Sequence, residues 1–140
     1  MWWRDLSTDA DAIMTSESGL DGRRVLIIED SPVVGPFTAD LLEELGCVPL
    51  GPAPTLAVAR EFIVGGDFDV AIVDVHIRGE RAFPLCEALE SLGIPFVLTS
   101  GYGDWQVPEH WAGRPRLQKP YGLEGVRDAL RTALVPSGAG

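Results

Sequence analysis

The chain has 140 residues, which is enough for one domain with a hydrophobic core and too few for two. Its hydrophobic fraction of 46% and charged fraction of 23% are typical of a globular protein, and no apolar run is long enough to predict a membrane span. A net charge of −10 argues against nucleic acid or an anionic membrane as the main partner.

The first residues predict a flexible tail. Ser, Thr, Asp, Glu and Gly predominate over residues 7–22, and no basic region precedes an apolar core, so no secretion signal is expected. Trp2 and Trp3 are the exception, because exposed tryptophans often mark a contact surface. The predicted division of the chain is a tail, a domain and a second tail, over residues 1–22, 23–135 and 136–140.

From Arg24 onward, short apolar runs alternate with helical patterns. The runs at 25–29 and 70–74 are rich in β-branched residues and apolar on both faces, as in buried parallel strands. Further runs predict three more strands, at residues 47–50, 94–99 and 116–118.

The helical patterns lie between these strands. The first repeats an apolar residue every fourth position, which predicts a buried face formed by Val33, Phe37, Leu41 and Leu45. Ser31 and Thr55 are the predicted caps of the first and second helices. Further helices are predicted over residues 84–92 and 123–134. Gly103, Pro108 and Gly113 interrupt the connection from 101 to 114, so a short or broken helix is expected there.

Strand and helix alternate five times, which predicts an α/β fold of the flavodoxin-like type. Right-handed crossovers then give a five-stranded parallel sheet of order 2-1-3-4-5 with helices on both faces. In such sheets, functional groups lie just beyond the carboxyl ends of the strands. The polar residues expected there are Glu29, Asp30, Asp74, Thr99, Ser100 and Lys119.

These groups favour one kind of chemistry. Carboxylate oxygens are the ligands that Mg²⁺ prefers. A carboxylate beside that cation and a lysine is suited to phosphoryl transfer, because both positive charges stabilise the phosphoryl oxygens.

With these motifs the chain resembles the receiver domains of response regulators in two-component signalling. The resemblance covers about residues 24–134 and is carried by the segment 25–30, by Val73-Asp74, by Ser100 and by Lys119-Pro120. It implies that Asp74 is the phosphoacceptor, that Ser100 turns toward the phosphoryl group and that Lys119 pairs with it. The Mg²⁺ ligands implied by the resemblance are Glu29, Asp30, Asp74 and the backbone carbonyl of His76.

One departure concerns signalling. Receivers usually carry an aromatic residue shortly before the lysine, and residues 114–118 contain none. Residues 95–103 instead resemble a subgroup of single-domain regulators with a Phe-Ala-Thr-Gly-Tyr type motif, in which the aromatic follows the switch hydroxyl. Tyr102 is therefore the switch candidate. Trp105 and Trp111 either cover the sheet edge or, with Tyr102 and the last helix, form a docking face.

The resemblance predicts a stand-alone receiver that signals by protein contact and is not a conventional enzyme. Its expected partners are a histidine kinase or phosphotransferase and a downstream protein, with no nucleic acid and no membrane. Cys47 and Cys86 form no close-spaced motif, so a reduced, cytoplasmic protein is expected. Two alternatives stay open: a pseudo-receiver that only binds, and an aspartate-nucleophile phosphatase, although His76 stands where that chemistry needs an acid.

Overall fold

The computed structural model describes residues 19–101 and 107–135. A five-stranded parallel sheet runs through its centre in the order β2-β1-β3-β6-β7, and β4 and β5 form a separate hairpin. The strands are β1 (Arg24–Ile28), β2 (Val48–Ala53), β3 (Val70–Asp74), β4 (His76–Ile77), β5 (Glu80–Arg81), β6 (Phe96–Ser100) and β7 (Arg116–Gln118). The helices are α1 (Val34–Glu44), α2 (Leu56–Gly65), α3 (Phe83–Ser91) and α4 (Leu123–Leu134).

This is the predicted flavodoxin-like order, so that prediction is confirmed. The three middle strands are buried on both faces because successive side chains alternate between two apolar clusters. One cluster, which we call the α1/α4 face, includes Ile27, Ile72 and Val97. The other, the α2/α3 face, includes Leu26, Ala71 and Phe96. The same alternation assigns each polar residue at the strand ends to one face.

The buried face of α1 differs from the prediction. Val33 and Phe37 are 74% and 46% exposed, whereas Gly35 and Thr38 are among the residues that face the sheet. The helix approaches β2 closely: a Cβ added at Gly35 would lie 2.7 Å from Cγ of Pro52. A small residue must therefore face inward in the first turn, and the apolar repeat every four residues could not reveal this.

The predicted caps have different outcomes. Thr55 caps α2, with its hydroxyl accepting the N–H of Val58 at 3.1 Å. The helix after Ser31 begins later than predicted, at Val34, and Ser31 Oγ accepts the N–H groups of both Val33 and Val34. Ser31 therefore satisfies donors of the turn that leads into α1.

Packing begins before Arg23, within the segment predicted as a tail. Leu20 is 1% exposed, and its carbonyl accepts the thiol of Cys47 at 3.4 Å. The N–H of Gly22 donates to the carbonyl of Gly46 at 2.8 Å. Residues 1–18 and 136–140 of the two predicted tails, with Trp2 and Trp3, lie outside the described residues.

The connection after β6 contains no α-helix in its described part. A single 3-10 turn spans Glu109–Trp111, which agrees with the short or broken helix expected there. Across residues 19–101 and 107–135, no helix has the length and apolar character that crossing a bilayer requires.

Candidate functional site

The carboxyl end of the sheet brings together an ammonium group and two buried carboxylates. Lys119, the only lysine in the chain, follows β7, while Asp74 ends β3 and Glu29 follows β1. Lys119 Nζ lies 2.8 Å from Asp74 Oδ2 and 2.8 Å from Glu29 Oε1. Glu29 and Asp74 are only 3% and 5% exposed. The amine therefore bridges carboxylates from two adjacent strands, in a place where water screens their charges weakly.

A third carboxylate completes an acidic cluster. Oxygen atoms of Glu29, Asp30 and Asp74 all lie within 4.8 Å of one another. Three carboxylates against one ammonium leave an excess of negative charge, and an all-oxygen donor set suits a hard divalent cation. These residues therefore fit Mg²⁺. The structure brings together the side chains of Glu29, Asp30, Asp74 and Lys119, as predicted. The roles assigned to these residues remain predictions.

The loop after Asp74 is organised around the same carboxylates. The N–H of His76 donates to Asp74 Oδ1 at 3.1 Å, so His76 contacts the site through its backbone; the predicted role of its carbonyl stays a prediction. Arg78 and Gly79 have φ angles of 52° and 81°, as in the two-residue turn that joins β4 and β5. The N–H of Arg78 donates to Asp30 Oδ2 at 2.7 Å. The hairpin thus holds Asp30 beside the end of β3.

The sequence analysis did not predict two contacts around the site: the one made by the β4–β5 hairpin and the one between Tyr121 and Thr38. The hairpin has strands of only two residues, too short to show alternation, and Arg-Gly is not one of the dipeptides typical of hairpin turns. The second contact joins Tyr121, two residues after Lys119, to the buried Thr38 of α1, with 2.7 Å between their hydroxyl oxygens. It ties the loop that carries the lysine to the helix that follows the acidic pair. No local pattern predicts a contact between residues 83 positions apart.

Burial and charge shift the pKa values of two site groups in the same direction. Burial raises the pKa of Glu29 to about 7; the hydrogen bond from Lys119 opposes this shift and the charge of Asp74 adds to it. Burial disfavours the Lys119 ammonium, but its contacts with Asp74 and Glu29 outweigh burial and raise the pKa of Lys119 above its ordinary value. The lysine is therefore held in its charged form.

Because the pKa of Glu29 is raised, the free energy of unfolding of the metal-free protein should depend on pH. A folded-state pKa near 7 against an ordinary value of 4.5 means that the folded chain binds this proton more tightly. The stability contributed by this group is full below about pH 4.5 and is lost as pH rises through 7. In chelator, the free energy of unfolding of the wild type relative to Glu29→Gln should fall by up to about 3 kcal/mol over that window.

Urea unfolding between pH 4.5 and 8 measures this difference. Glu61→Gln is the matched control, because Glu61 is an exposed carboxylate of α2 and its loss should leave the profile unchanged. Parallel profiles for the wild type and Glu29→Gln would show that Glu29 does not titrate in this range.

The predicted switch residues fall partly outside the described residues. Ser100 ends β6 and is 1% exposed, whereas Tyr102 and Trp105 are not among the described residues. Trp111 is also 1% exposed; it packs against Phe83 and Phe96, and its Nε1 donates to Glu90. The predicted docking role of Trp111 is therefore wrong, because its ring is buried in the core on the α2/α3 face of the sheet.

Comparison with known proteins yields solved structures only, since no protein-family model and no curated protein matches the chain. The solution structure of SdrG from Sphingomonas melonis Fr1 has 40% sequence identity and a TM-score of 0.75, over 81% of this chain and 98% of SdrG. The BeF3-activated conformation of SdrG from Pseudomonas melonis Fr1 has 40% identity and a TM-score of 0.70, over 80% of this chain and 96% of that one.

A more distant likeness shows the same fold. The receiver domain of the PhyR response regulator from Erythrobacter litoralis has 24% identity and a TM-score of 0.68. The match covers 85% of this chain and 98% of that domain. The SdrG matches span almost the whole of each compared chain.

Proposed function

Because this chain belongs to the response-regulator receiver family, we propose that Asp74 accepts a phosphoryl group from a histidine kinase or phosphotransferase. One observation carries the proposal: Lys119 Nζ lies 2.8 Å from Asp74 Oδ2 beside a cluster of three carboxylates. A buried carboxylate, a positive charge and a cluster of carboxylate oxygens thus lie together at the carboxyl end of the sheet, which supports the proposed roles of acceptor, lysine and Mg²⁺ ligands. The protein's role is then signalling, with chemistry confined to its own phosphorylation and dephosphorylation.

The proposed transfer is a displacement at phosphorus. A carboxylate oxygen of Asp74 attacks the phosphorus atom of a phosphohistidine, and the bond from phosphorus to the imidazole nitrogen breaks with its electron pair remaining on the nitrogen. Lys119 then faces the new acyl phosphate and supplies N–H donors and positive charge to its oxygens. Mg²⁺, held by Glu29, Asp30 and Asp74 with the His76 carbonyl, would supply further positive charge to those oxygens. Attack of water on phosphorus later returns the carboxylate and inorganic phosphate.

The proposed output is a change of protein contacts. Ser100 ends β6, and its hydroxyl would turn toward the phosphoryl group, as the resemblance implies. Tyr102, the switch candidate, follows two residues later in the sequence. Phosphorylation then shifts the receiver between two conformations, and a downstream protein binds one of them better. A cytoplasmic location remains a prediction that agrees with two buried, free cysteines.

The proposal is tested with acetyl phosphate as donor. After incubation with and without Mg²⁺, intact mass should show one phosphoryl group per chain, in the Mg²⁺ sample alone. Absence of an adduct together with absence of Mg²⁺ binding would overturn the proposal in favour of a pseudo-receiver. Steady release of phosphate from small phosphate esters would favour the phosphatase alternative.

A further inference from the structure

Thr99 carries a buried hydroxyl that the folded chain leaves unused. The residue is 1% exposed, and within the described part of the chain its Oγ1 is the buried side-chain polar atom that has no hydrogen-bond partner. Thr38 shows the ordinary condition: it is equally buried, and its hydroxyl contacts both the Val34 carbonyl and the Tyr121 hydroxyl. A buried donor without an acceptor destabilises a protein, so such a group calls for a functional explanation.

The position of Thr99 connects this hydroxyl to the phosphoacceptor. β6 lies between the strand that ends in Asp74 and the strand that leads to Lys119. Thr99 pairs in register with Asp74 on one side and with Leu117 on the other. Paired residues of neighbouring parallel strands share a face, about 5 Å apart. Asp74, Thr99 and Leu117 therefore share the α1/α4 face.

The backbone at this end of β6 also holds the two charged partners in place. The N–H of Val75, directly after Asp74, donates to the Thr99 carbonyl at 3.0 Å. The N–H of Lys119 donates to the Ser100 carbonyl at 2.8 Å. Since Lys119 reaches Asp74 from the far side of β6, its side chain must cross the end of that strand. Thr99 is thus the residue of β6 that pairs with Asp74, a member of the ion pair that phosphorylation would alter.

We propose that the Thr99 hydroxyl is a second hydroxyl of the phosphoacceptor site, which donates a hydrogen bond only when Asp74 carries a phosphoryl group or an analogue. This inference rests on the proposed function of Asp74. In the unmodified state, Lys119 occupies Asp74 Oδ2 and the Thr99 hydroxyl has no acceptor. A phosphoryl group brings three strong acceptor oxygens into that space. Thr99 acts here as a hydrogen-bond donor to the phosphoryl group and forms no covalent bond.

The test uses an isosteric pair of variants. Thr99→Val replaces the hydroxyl by a methyl group of similar size, and Thr99→Ser keeps the hydroxyl. Each protein is titrated with beryllium fluoride, a phosphoryl analogue, in Mg²⁺ buffer, and binding is followed by amide NMR shifts. Thr99→Val should bind about tenfold more weakly than the wild type, because a hydrogen bond to a charged group is lost. Thr99→Ser should bind nearly as tightly as the wild type.

A second measurement excludes a merely structural role. Without beryllium fluoride, Thr99→Val should have a higher urea midpoint than the wild type, because an unsatisfied buried hydroxyl has been removed. Thr38→Val is the matched control and should have a lower midpoint, since that hydroxyl is bonded. Opposite signs for stability and binding in Thr99→Val support the proposal. A fall in both, or unchanged binding, would overturn it.

The failure of this inference differs from the failure of the proposed function. If the wild type itself binds no beryllium fluoride with Mg²⁺, the phosphoacceptor assignment is wrong and the role of Thr99 falls with it. If the wild type binds and Thr99→Val binds equally well, only the role of Thr99 is wrong.

Discussion

Asp74→Asn is expected to abolish the phosphoryl adduct completely while leaving the fold intact. The amide is nearly isosteric with the carboxylate but is no nucleophile, so acetyl phosphate has no acceptor. Stability should change little, because the loss of the Lys119–Asp74 ion pair is offset by the end of the repulsion between Asp74 and Glu29, and Lys119 keeps Glu29 as its partner. Intact mass and urea unfolding measure the two expectations.

Asp67→Asn is the matched control for this variant. The Asp67 side chain is 84% exposed and pairs with Arg24, far from the carboxyl end of the sheet. The Asp67→Asn variant should therefore form the phosphoryl adduct to the same extent as the wild type. A full adduct on Asp74→Asn would identify a different acceptor and contradict the site described above.

Lys119→Met is expected to slow phosphorylation of Asp74 by about 100- to 1,000-fold, the usual effect of removing one preorganised donor from a site of developing charge. It should also destabilise the protein, because Glu29 and Asp74 lose the partner that both contact at 2.8 Å. Removing one member of a buried ion pair typically costs about 3–5 kcal/mol. Since the pKa of Glu29 is already about 7, protonation relieves part of this cost in acid, so the loss should be larger at pH 8 than at pH 6.

The rate of adduct formation and urea unfolding at both pH values check this prediction. Lys119→Arg separates charge from shape: the planar guanidinium keeps the positive charge but cannot reproduce the compact bridge between the carboxylates. Arg60→Met removes an exposed cation of α2 and should have no effect on either readout. Equal adduct rates for Lys119→Met and the wild type would remove the lysine from the mechanism.

The site was predictable to the extent that it depends on strand ends. The apolar runs before Glu29 and Asp74 identify buried parallel strands, and the geometry of such sheets then brings their carboxyl ends together. Lys119 follows from the same rule. The fold order required only the alternation of strands and helices and the handedness of crossovers.

What the sequence did not predict depends on contacts between distant residues. Phe37 fits a helical repeat, yet it is exposed because Pro52 requires a glycine to face inward in the first turn of α1. Trp111 lies in a segment rich in glycine and proline, and its burial depends on Phe83 and Phe96 of other elements. The lack of a hydrogen-bond partner for the Thr99 hydroxyl depends on how the chain packs. The sequence cannot predict it, since a threonine in an apolar strand gives no sign of whether its hydroxyl is bonded.

The single lysine has a practical consequence for protein chemistry. Since Lys119 is the only lysine, acylating reagents and amine-directed crosslinkers have one ε-amino target. This amine lies against Asp74. Only a neutral amine attacks such a reagent, and the raised pKa of Lys119 keeps its amine protonated and poorly reactive. The acylation rate of this one side chain therefore reports how firmly the carboxylates hold it, without any engineered label. Coupling the protein to a surface through its lysine would, for the same reason, block the site under study.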